Sequence, residues 1–322
     1  MRFLQSYWCP VCLGLMTIIA LVMSAMPSNQ TTLVKSIHSW YRENEEWIPP
    51  SESEIPPDGE GDLIRYGKEL IAHTSQYLGP KGIVARRSNG MNCQNCHIDA
   101  GSTNFANPFS AVASIYPRYR ERSGRTESIE FRINECMQRS LNGTALDSLS
   151  LEMRSMVAYL KWIGSEVPKG VRPKGAGTES LPFLDRAADP LKGKFVYEQY
   201  CARCHGANGE GQLMANASEY TYPPLWGEHS YNVSAGMYRL SGLAGFIKNN
   251  MPFGTTWKEP QLTAEQAWDV AAYINSQERP QKFFSYDWKN ISKKPFDYPF
   301  GPFSDSFPAE QHKYGPFGKM KK

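Results

Sequence analysis

The stretches "CQNCH" (residues 93–97) and "CARCH" (residues 201–205) are the strongest indication of the fold of this chain. C-x-x-C-H is the attachment signature of haem c, in which two thiols bind the haem covalently and the adjacent histidine ligates the iron. A redox dithiol would lie in a βαβ pattern, and a zinc site would need a second Cys or His pair nearby, and neither pattern is visible. The sequence therefore predicts two covalently bound haem c groups, held by Cys93, Cys96 and His97 and by Cys201, Cys204 and His205.

Similar helical segments surround the two motifs. "DPLKGKFVYEQY" (189–200) begins with Asp189 as an N-cap and Pro190 at the first helical position. "LTAEQAWDVAAYINSQ" (262–277) begins with a capping box. The first half repeats this order with "GDLIRYGKELIAHTSQYL" (61–78) and "LSLEMRSMVAYLKWIG" (149–164). We expect a mainly α fold, with two cytochrome c-like haem domains joined by a linker and an irregular C-terminal tail.

Composition sets the domain boundaries. A stretch rich in Pro, Gly and Lys separates the two halves and predicts a linker, and the many aromatic residues of the tail predict that it packs on the domains. The predicted parts are a signal peptide or N-terminal anchor (1–26), an extension (27–57), domain 1 with haem 1 (58–166), a linker (167–186), domain 2 with haem 2 (187–280) and the tail (281–322).

The N-terminus has the features of an export signal. Arg2 precedes an apolar stretch at residues 11–26, which ends in small residues. The signal predicts a periplasmic protein, and Cys9 and Cys12 would leave with it. Met23 stands where a cleavage site prefers a small residue, so an uncleaved anchor is the alternative, and only then would the protein contact a membrane. A net charge of +3 is too small for a nucleic-acid partner.

The sixth iron ligand of haem 2 has four candidates. These are Met214, Met237, Met251 and His229. Met251 is favoured because it precedes a proline in a loop shortly before the last helix, where cytochromes c commonly present this ligand.

Haem 1 presents a different choice. No histidine lies between His97 and His205, which leaves Cys136, Met137, Met153, Met156 and the upstream His73. "ESIEFRINECMQRSLNG" (127–143) predicts a helix on which Arg132, Cys136 and Ser140 share a face. Neighbouring guanidinium groups favour a thiolate, which is both an iron ligand and a nucleophile. The alternative is a small buried cysteine with no chemistry.

These residues resemble a known family, the dihaem thiosulfate dehydrogenases. Its members are periplasmic c-type cytochromes that couple two thiosulfates into tetrathionate, and some run the reverse reaction. The resemblance extends from about residue 55 through the tail and is most specific in "RINECMQRSLNG" (132–143). It implies the axial pairs His97 with Cys136 and His205 with Met251. It also implies a substrate pocket lined by Arg122, Arg132 and Ser140, beside a catalytic Cys136.

The resemblance also implies a place in electron transfer. Two electrons from two thiosulfates match two haems, and a small periplasmic cytochrome c or iron–sulfur protein would accept them. Some members carry a lysine directly before the haem 2 methionine and exchange ligands, whereas this chain has Asn250, so we expect a constant His/Met pair. Two alternatives stay open: a non-catalytic dihaem electron-transfer cytochrome, and a dihaem peroxidase-like enzyme.

Overall fold

A computed structural model describes residues 46–216 and 218–320. The predicted signal segment, its two cysteines and most of the N-terminal extension lie outside these residues. Glu45–Lys322 forms one compact unit, so both C-x-x-C-H motifs belong to the same body. Within the described residues, no helix has the length and apolar character needed to cross a membrane.

The fold is mainly helical. The helices are α1 (Gly59–Ala72), α2 (Thr74–Leu78), α3 (Ile98–Gly101), α4 (Val112–Ile115), α5 (Ile129–Arg139), α6 (Leu151–Ile163), α7 (Pro190–Tyr200), α8 (Ala202–His205), α9 (Leu240–Asn250), α10 (Ala264–Ser276) and α11 (Ala309–Tyr314). Two short antiparallel hairpins join β1 (Arg118–Arg120) to β2 (Arg125–Glu127) and β3 (Gln212–Leu213) to β4 (Tyr220–Tyr222). Single 3₁₀ turns occur at Glu52–Glu54, Cys93–Asn95, Gly236–Tyr238 and Ile291–Lys293.

Helices α1 and α6 form the frame of the first half. Asp58 caps α1 by accepting hydrogen bonds from two backbone N–H groups, and Ser150 caps α6 by accepting one, from Met153. The two helices approach closely at Gly67, where a Cβ atom would lie 2.0 Å from the carbonyl oxygen of Ser155. Only glycine permits that approach, and it brings the buried faces of both helices into one core.

Helices α7 and α10 repeat this arrangement in the second half. The predicted Asp189 cap, the proline at the start of α7 and the capping box of α10 are all confirmed. Gly193 occupies the place of Gly67, because a Cβ atom there would lie 1.9 Å from the carbonyl oxygen of Asp269. The internal repeat read from the sequence is therefore a repeated helix pair.

The C-terminal tail packs on the rest of the protein, as its aromatic content predicts. Phe317 and Met320 are buried in the core of the second half. Asp297 is 1% exposed and accepts a hydrogen bond from Arg239 at 2.7 Å. The tail is mostly irregular, but it contains α11 and one 3₁₀ turn. The predicted irregular tail is therefore confirmed apart from these two short segments, of which α11 forms because the prolines flank it instead of interrupting it.

Candidate haem centres and active site

The first motif presents its cysteines and histidine in forms suited to haem attachment. Cys93 and Cys96 are free thiols, and burial raises the pKa of both to about 12. His97 donates from Nδ1 to the carbonyl oxygen of Asn107 at 2.6 Å, which leaves Nε2 as the ligating nitrogen. Burial lowers the pKa of His97 to about 4, so the imidazole is neutral, as an iron ligand must be.

A cavity of about 220 Å³ opens beside this motif. Its wall includes Cys93, Cys96 and His97, and the ring of Phe109 stacks on His97 with centroids 4.4 Å apart. Most of the remaining wall is apolar, with Ile71, Met91, Ile115, Ile133, Leu141 and Leu160 among the lining residues. A large apolar cavity next to two free thiols and an available imidazole nitrogen fits a covalently bound haem.

Helix α5 brings Cys136 to the same cavity. Ser128 caps the helix, and the four-residue spacing places Arg132, Cys136 and Ser140 along the cavity wall. Arg132 and Cys136 are neighbours because they lie four residues apart on the helix, and Cys136 is the main cause that raises the pKa of Arg132. The structure thus brings together a thiol, a guanidinium and a hydroxyl beside the first haem site.

The other candidates for the haem 1 ligand have different surroundings. Met153 and Met156 are fully buried in the core, and Met137 is 1% exposed although part of it reaches the cavity wall. His73 faces the buried carboxylate of Glu219, with 3.1 Å between Nδ1 and Oε2. These positions favour Cys136, whose assignment as the ligand stays a prediction.

Arg122 lies elsewhere. It is absent from the cavity wall, and its guanidinium donates from Nε and Nη2 to Asp287 of the tail at 3.0 and 2.9 Å. It also donates to the carbonyl oxygen of Ser234 at 2.7 Å. Of the residues predicted to surround Cys136, the structure brings Arg132 and Ser140 to the cavity and pairs Arg122 with the tail.

Six further polar residues of the cavity wall were missed by the sequence analysis. They are Asn92, Asn107, Tyr116, Arg118, Arg120 and Arg172. Arg118 and Arg120 lie two residues apart on β1 and therefore on one face of the strand. The alternation "RYR" followed by Ser123-Gly124 is a hairpin signal that could have identified them, and Gly124 indeed takes a φ of +63° in the turn.

The second motif has the same chemistry. His205 donates from Nδ1 to the carbonyl oxygen of Pro223 at 2.8 Å, so its Nε2 is again the ligating nitrogen. Burial lowers the pKa of His205 and raises that of Cys201 to about 12. Cys201 lies in an apolar cluster against which Met251 and Met237 both pack.

Among the haem 2 candidates, Met251 has the most suitable surroundings. Met214 is 39% exposed, and His229 lies on the surface. The sulfur of Met237 accepts a hydrogen bond from Asn107 at 3.9 Å. Met251, at the end of α9, makes no such contact in the described part of the chain, which favours it as the ligand.

One loop connects the two centres. Asn107 accepts from His97 at the first site and donates to Met237 in the second half. Two residues earlier, the carbonyl oxygen of Phe105 accepts from Asn250 at 3.2 Å, directly before Met251. Phe105 and Asn107 both have positive φ, a conformation that asparagine tolerates but that is strained for phenylalanine.

Two haem-attachment motifs on two similar helix pairs define a c-type cytochrome. The family models agree, because "Cytochrome c" matches residues 191–278 and "SoxA/TsdA, cytochrome c domain" matches residues 84–168. The chain is 39% identical over 75% of its length to the thiosulfate dehydrogenase of Psychrobacter arcticus, of which it covers 71%. It is 37% identical over 72% of its length to that of Allochromatium vinosum, of which it covers 83%. The chain belongs to the thiosulfate dehydrogenase family.

A solved structure supports the same assignment. The thiosulfate dehydrogenase TsdBA from Marichromatium purpuratum, in its "as isolated" form, superposes with a TM-score of 0.68 at 34% identity. The match covers 77% of this chain and 52% of that one, so the chain spans about half the length of this relative.

Proposed function

We propose that this protein is a periplasmic dihaem oxidoreductase that couples two thiosulfates into tetrathionate and can run the reaction in reverse. The supporting observation is that Cys136 and Arg132 share one cavity with Cys93, Cys96 and His97. Each C-x-x-C-H motif would hold one haem c, with His97 and Cys136 as the residues that would bind the iron of haem 1 and His205 and Met251 as those that would bind the iron of haem 2. When bound, the two haems accept one electron each.

The charged groups of the cavity wall would reduce the repulsion between the two anionic substrates. Two thiosulfate dianions must approach within bonding distance, and their mutual repulsion opposes this. Guanidinium groups line the wall near Cys136, and a partly enclosed cavity strengthens their attraction for anions. Ser140 supplies a hydroxyl on the same wall, suited to a hydrogen bond with a sulfonate oxygen.

Cys136 provides the nucleophilic sulfur. Its thiolate and the terminal sulfur of one thiosulfate form an S–S bond with loss of two electrons, which gives a protein-bound Cys–S–S–SO₃⁻ group. The terminal sulfur of a second thiosulfate attacks the sulfur that carries the sulfonate, so that tetrathionate leaves and the Cys136 thiolate is restored. This second step is ordinary thiol exchange and consumes no further electrons.

The second half would carry the electrons out. A His/Met pair raises the reduction potential relative to a thiolate-ligated site. Asn250 is anchored to Phe105 and Phe246, which supports a constant ligand pair at haem 2. A small periplasmic cytochrome c or iron–sulfur protein is the expected acceptor.

The test is thiosulfate-dependent reduction of the purified, oxidised holoprotein, followed by haem absorption. Wild type should be reduced, and Cys136→Gly should not, although both haems remain attached. Cys136→Met is the matched variant, because it restores an iron ligand without a nucleophilic thiol, and it should also fail.

The alternatives give different results. A simple electron carrier would exchange electrons with a partner but respond to neither thiosulfate nor tetrathionate. A peroxidase-like enzyme would show a high-spin haem on partial reduction and would consume peroxide. Full thiosulfate activity in Cys136→Gly would refute the covalent mechanism.

A further inference from the structure

Arg279 is a buried cation with two unpaired donor atoms. It lies shortly after α10, is 6% exposed, and donates from Nη2 to the carbonyl oxygen of Ile274 at 2.6 Å. Its Nε and Nη1 are buried and have no hydrogen-bond partner among the described residues. A guanidinium stays charged in proteins, and burying it without partners costs free energy. The two unpaired donors therefore indicate an anion that does not belong to the polypeptide.

Two tyrosine rings hold the guanidinium without balancing its charge. The Cζ atom of Arg279 lies 4.3 Å from the ring centroid of Tyr231 and 5.3 Å from that of Tyr238. Such contacts attract a cation but supply no negative charge. Burial lowers the pKa of Lys313 in the tail, and the charge of Arg279 lowers it further. Arg279 thus acts on its surroundings as an uncompensated positive charge.

The backbone beside Arg279 is joined to the first haem centre. Residues 227–233 donate two hydrogen bonds to the carbonyl oxygens of the residues that flank Arg279, at 2.8 and 3.1 Å. In the same segment, the N–H of Asn232 donates to the carbonyl oxygen of Arg139 on α5 at 3.1 Å. Helix α5 also carries Cys136, the predicted ligand of haem 1. One segment therefore connects the guanidinium to the helix beside haem 1.

The second haem centre lies against the same tyrosines. Asn275 of α10 accepts from the hydroxyl of Tyr231 at 3.0 Å and donates from Nδ2 to the carbonyl oxygen of Tyr238 at 3.0 Å. Met237, next to Tyr238 in the chain, packs against the apolar cluster that contains Cys201. The guanidinium and the two rings therefore lie where the two haem centres meet.

We propose that Arg279 binds the carboxylate of a haem propionate and thereby raises the reduction potential of that haem. The propionates of haem c are anions with oxygen acceptors, which suit charged N–H donors. A fixed positive charge favours the reduced haem, because reduction removes one unit of positive charge from the iron. This inference rests on the two haems of the proposed function and not on its substrate. Either haem 1 or haem 2 is the source of the carboxylate, and their potentials distinguish the two.

The test is a potentiometric titration of the purified holoprotein with redox mediators and no thiosulfate, followed by haem absorption. Arg279→Gln should lower the potential of one haem, so that its equilibrium constant of reduction falls about tenfold, which corresponds to about 59 mV for one electron. Arg279→Lys keeps the positive charge and should recover more than half of this shift. The thiolate-ligated haem 1 should have the lower potential and the His/Met haem 2 the higher, which identifies the haem that responds.

Arg154→Gln is the matched control. Arg154 is exposed on α6, so the same substitution removes a charge that water and salt screen, and both equilibrium constants should stay within about twofold of wild type. Resonance Raman spectroscopy is a second readout, because the propionate bending mode responds to hydrogen bonds at the carboxylate. This mode should shift in Arg279→Lys and not in Arg154→Gln, which decides the question even if Arg279→Gln does not retain its haems.

The outcomes separate this inference from the proposed function. Unchanged potentials in Arg279→Gln, or an unchanged propionate mode in Arg279→Lys, would overturn the inference. An equal fall in potential in Arg279→Lys and Arg279→Gln would also overturn it, because the positive charge would then not be the cause. The larger shift in the higher potential would assign the propionate to haem 2, and in the lower potential to haem 1. Failure of thiosulfate to reduce the wild type would refute the proposed function and leave this titration unaffected.

Discussion

Asp287 of the tail should contribute more to stability than the other tail residues, because it is the shared acceptor for two arginines. Its Oδ2 accepts from Arg122 at 2.9 and 3.0 Å and from Arg139 at 2.7 Å, and its Oδ1 accepts from Arg139 at 2.7 Å. The side chains of Asp287 and Arg139 are 7% and 2% exposed. The carboxylate thus balances the charges of guanidinium groups that are almost inaccessible to water.

Asp287→Asn keeps the shape of the side chain and removes the negative charge that balances the two guanidinium groups. The amide offers one acceptor oxygen, and its NH₂ group would face N–H donors of Arg122 or Arg139. Arg139 keeps its bidentate pair with Glu135, at 2.9 and 3.0 Å, so part of the network survives. Removing one partner of a buried ion pair costs about 3–5 kcal/mol, and we expect a loss in this range.

The assay is urea unfolding of the holoprotein, followed by far-UV circular dichroism. The control is Glu198→Gln, which breaks a half-exposed pair with Lys194 at 3.8 Å and should cost less than about 1 kcal/mol. If Asp287→Asn is no more destabilising than Glu198→Gln, the tail is not held through this carboxylate, and the reasoning is refuted.

Three further predictions concern other contacts. Gly193→Ala places a methyl group where Asp269 leaves no room, and urea unfolding should show a loss of about 1–3 kcal/mol or more. Tyr286 donates to a buried carboxylate, and its pKa is raised by burial and by that bond to about 12. The pKa of Tyr286 in the folded protein exceeds the unfolded value of about 10, so the protonated phenol contributes fully to the free energy of unfolding below about pH 10. This contribution is lost as the pH rises towards 12. In urea titrations, Tyr286→Phe should remove this pH dependence of stability. Asn250→Ala loses its bond to Phe105, and electron transfer between the haems, measured by flash photolysis, should slow while both haems stay attached.

Each of these predictions has an outcome that contradicts it. Gly59→Ala meets nothing within 4 Å and is the control for Gly193, so equal losses in the two variants would exclude a steric cause. An unchanged alkaline stability profile in Tyr286→Phe would show that the phenol ionises without effect on folding. Unchanged interhaem transfer in Asn250→Ala would mean that the loop at residues 105–107 does not couple the centres.

Patterns of neighbouring residues in the sequence predicted most of the helices of the fold. The cap of α7 at Asp189 and the capping box of α10 are read from neighbouring residues, and the structure forms them as predicted. The haem-attachment motifs are equally local. Helix α5 also follows its sequence, because the four-residue spacing alone places Cys136 between Arg132 and Ser140 on one face.

The carboxylate partners of the arginines lie far away in the sequence, and the sequence did not predict these pairings. Arg122 and Arg120 differ by two positions and carry the same charge, so nothing in their immediate sequence separates their roles. What separates them is an acceptor 165 residues downstream, Asp287, which takes Arg122 into the tail contact. Pairings over such distances follow from the packed fold and not from any periodicity.

The placement of the acidic residues explains how one protein can be both stable and attractive to anions. Arg122 and Arg139 form close ion pairs with Asp287 of the tail, and Arg139 also pairs with Glu135 of α5. These pairs make both arginines part of the packed structure. Arg120 receives a carboxylate at 3.9 Å, and Arg132 makes no ion pair with any carboxylate in the described residues. Burying uncompensated cations costs free energy, so this deficit of negative charge beside Cys136 makes the cavity attractive to an anion. In the proposed reaction, an arriving thiosulfate would supply the missing charge, which favours the anion-bound cavity over the empty one before any bond between sulfurs forms.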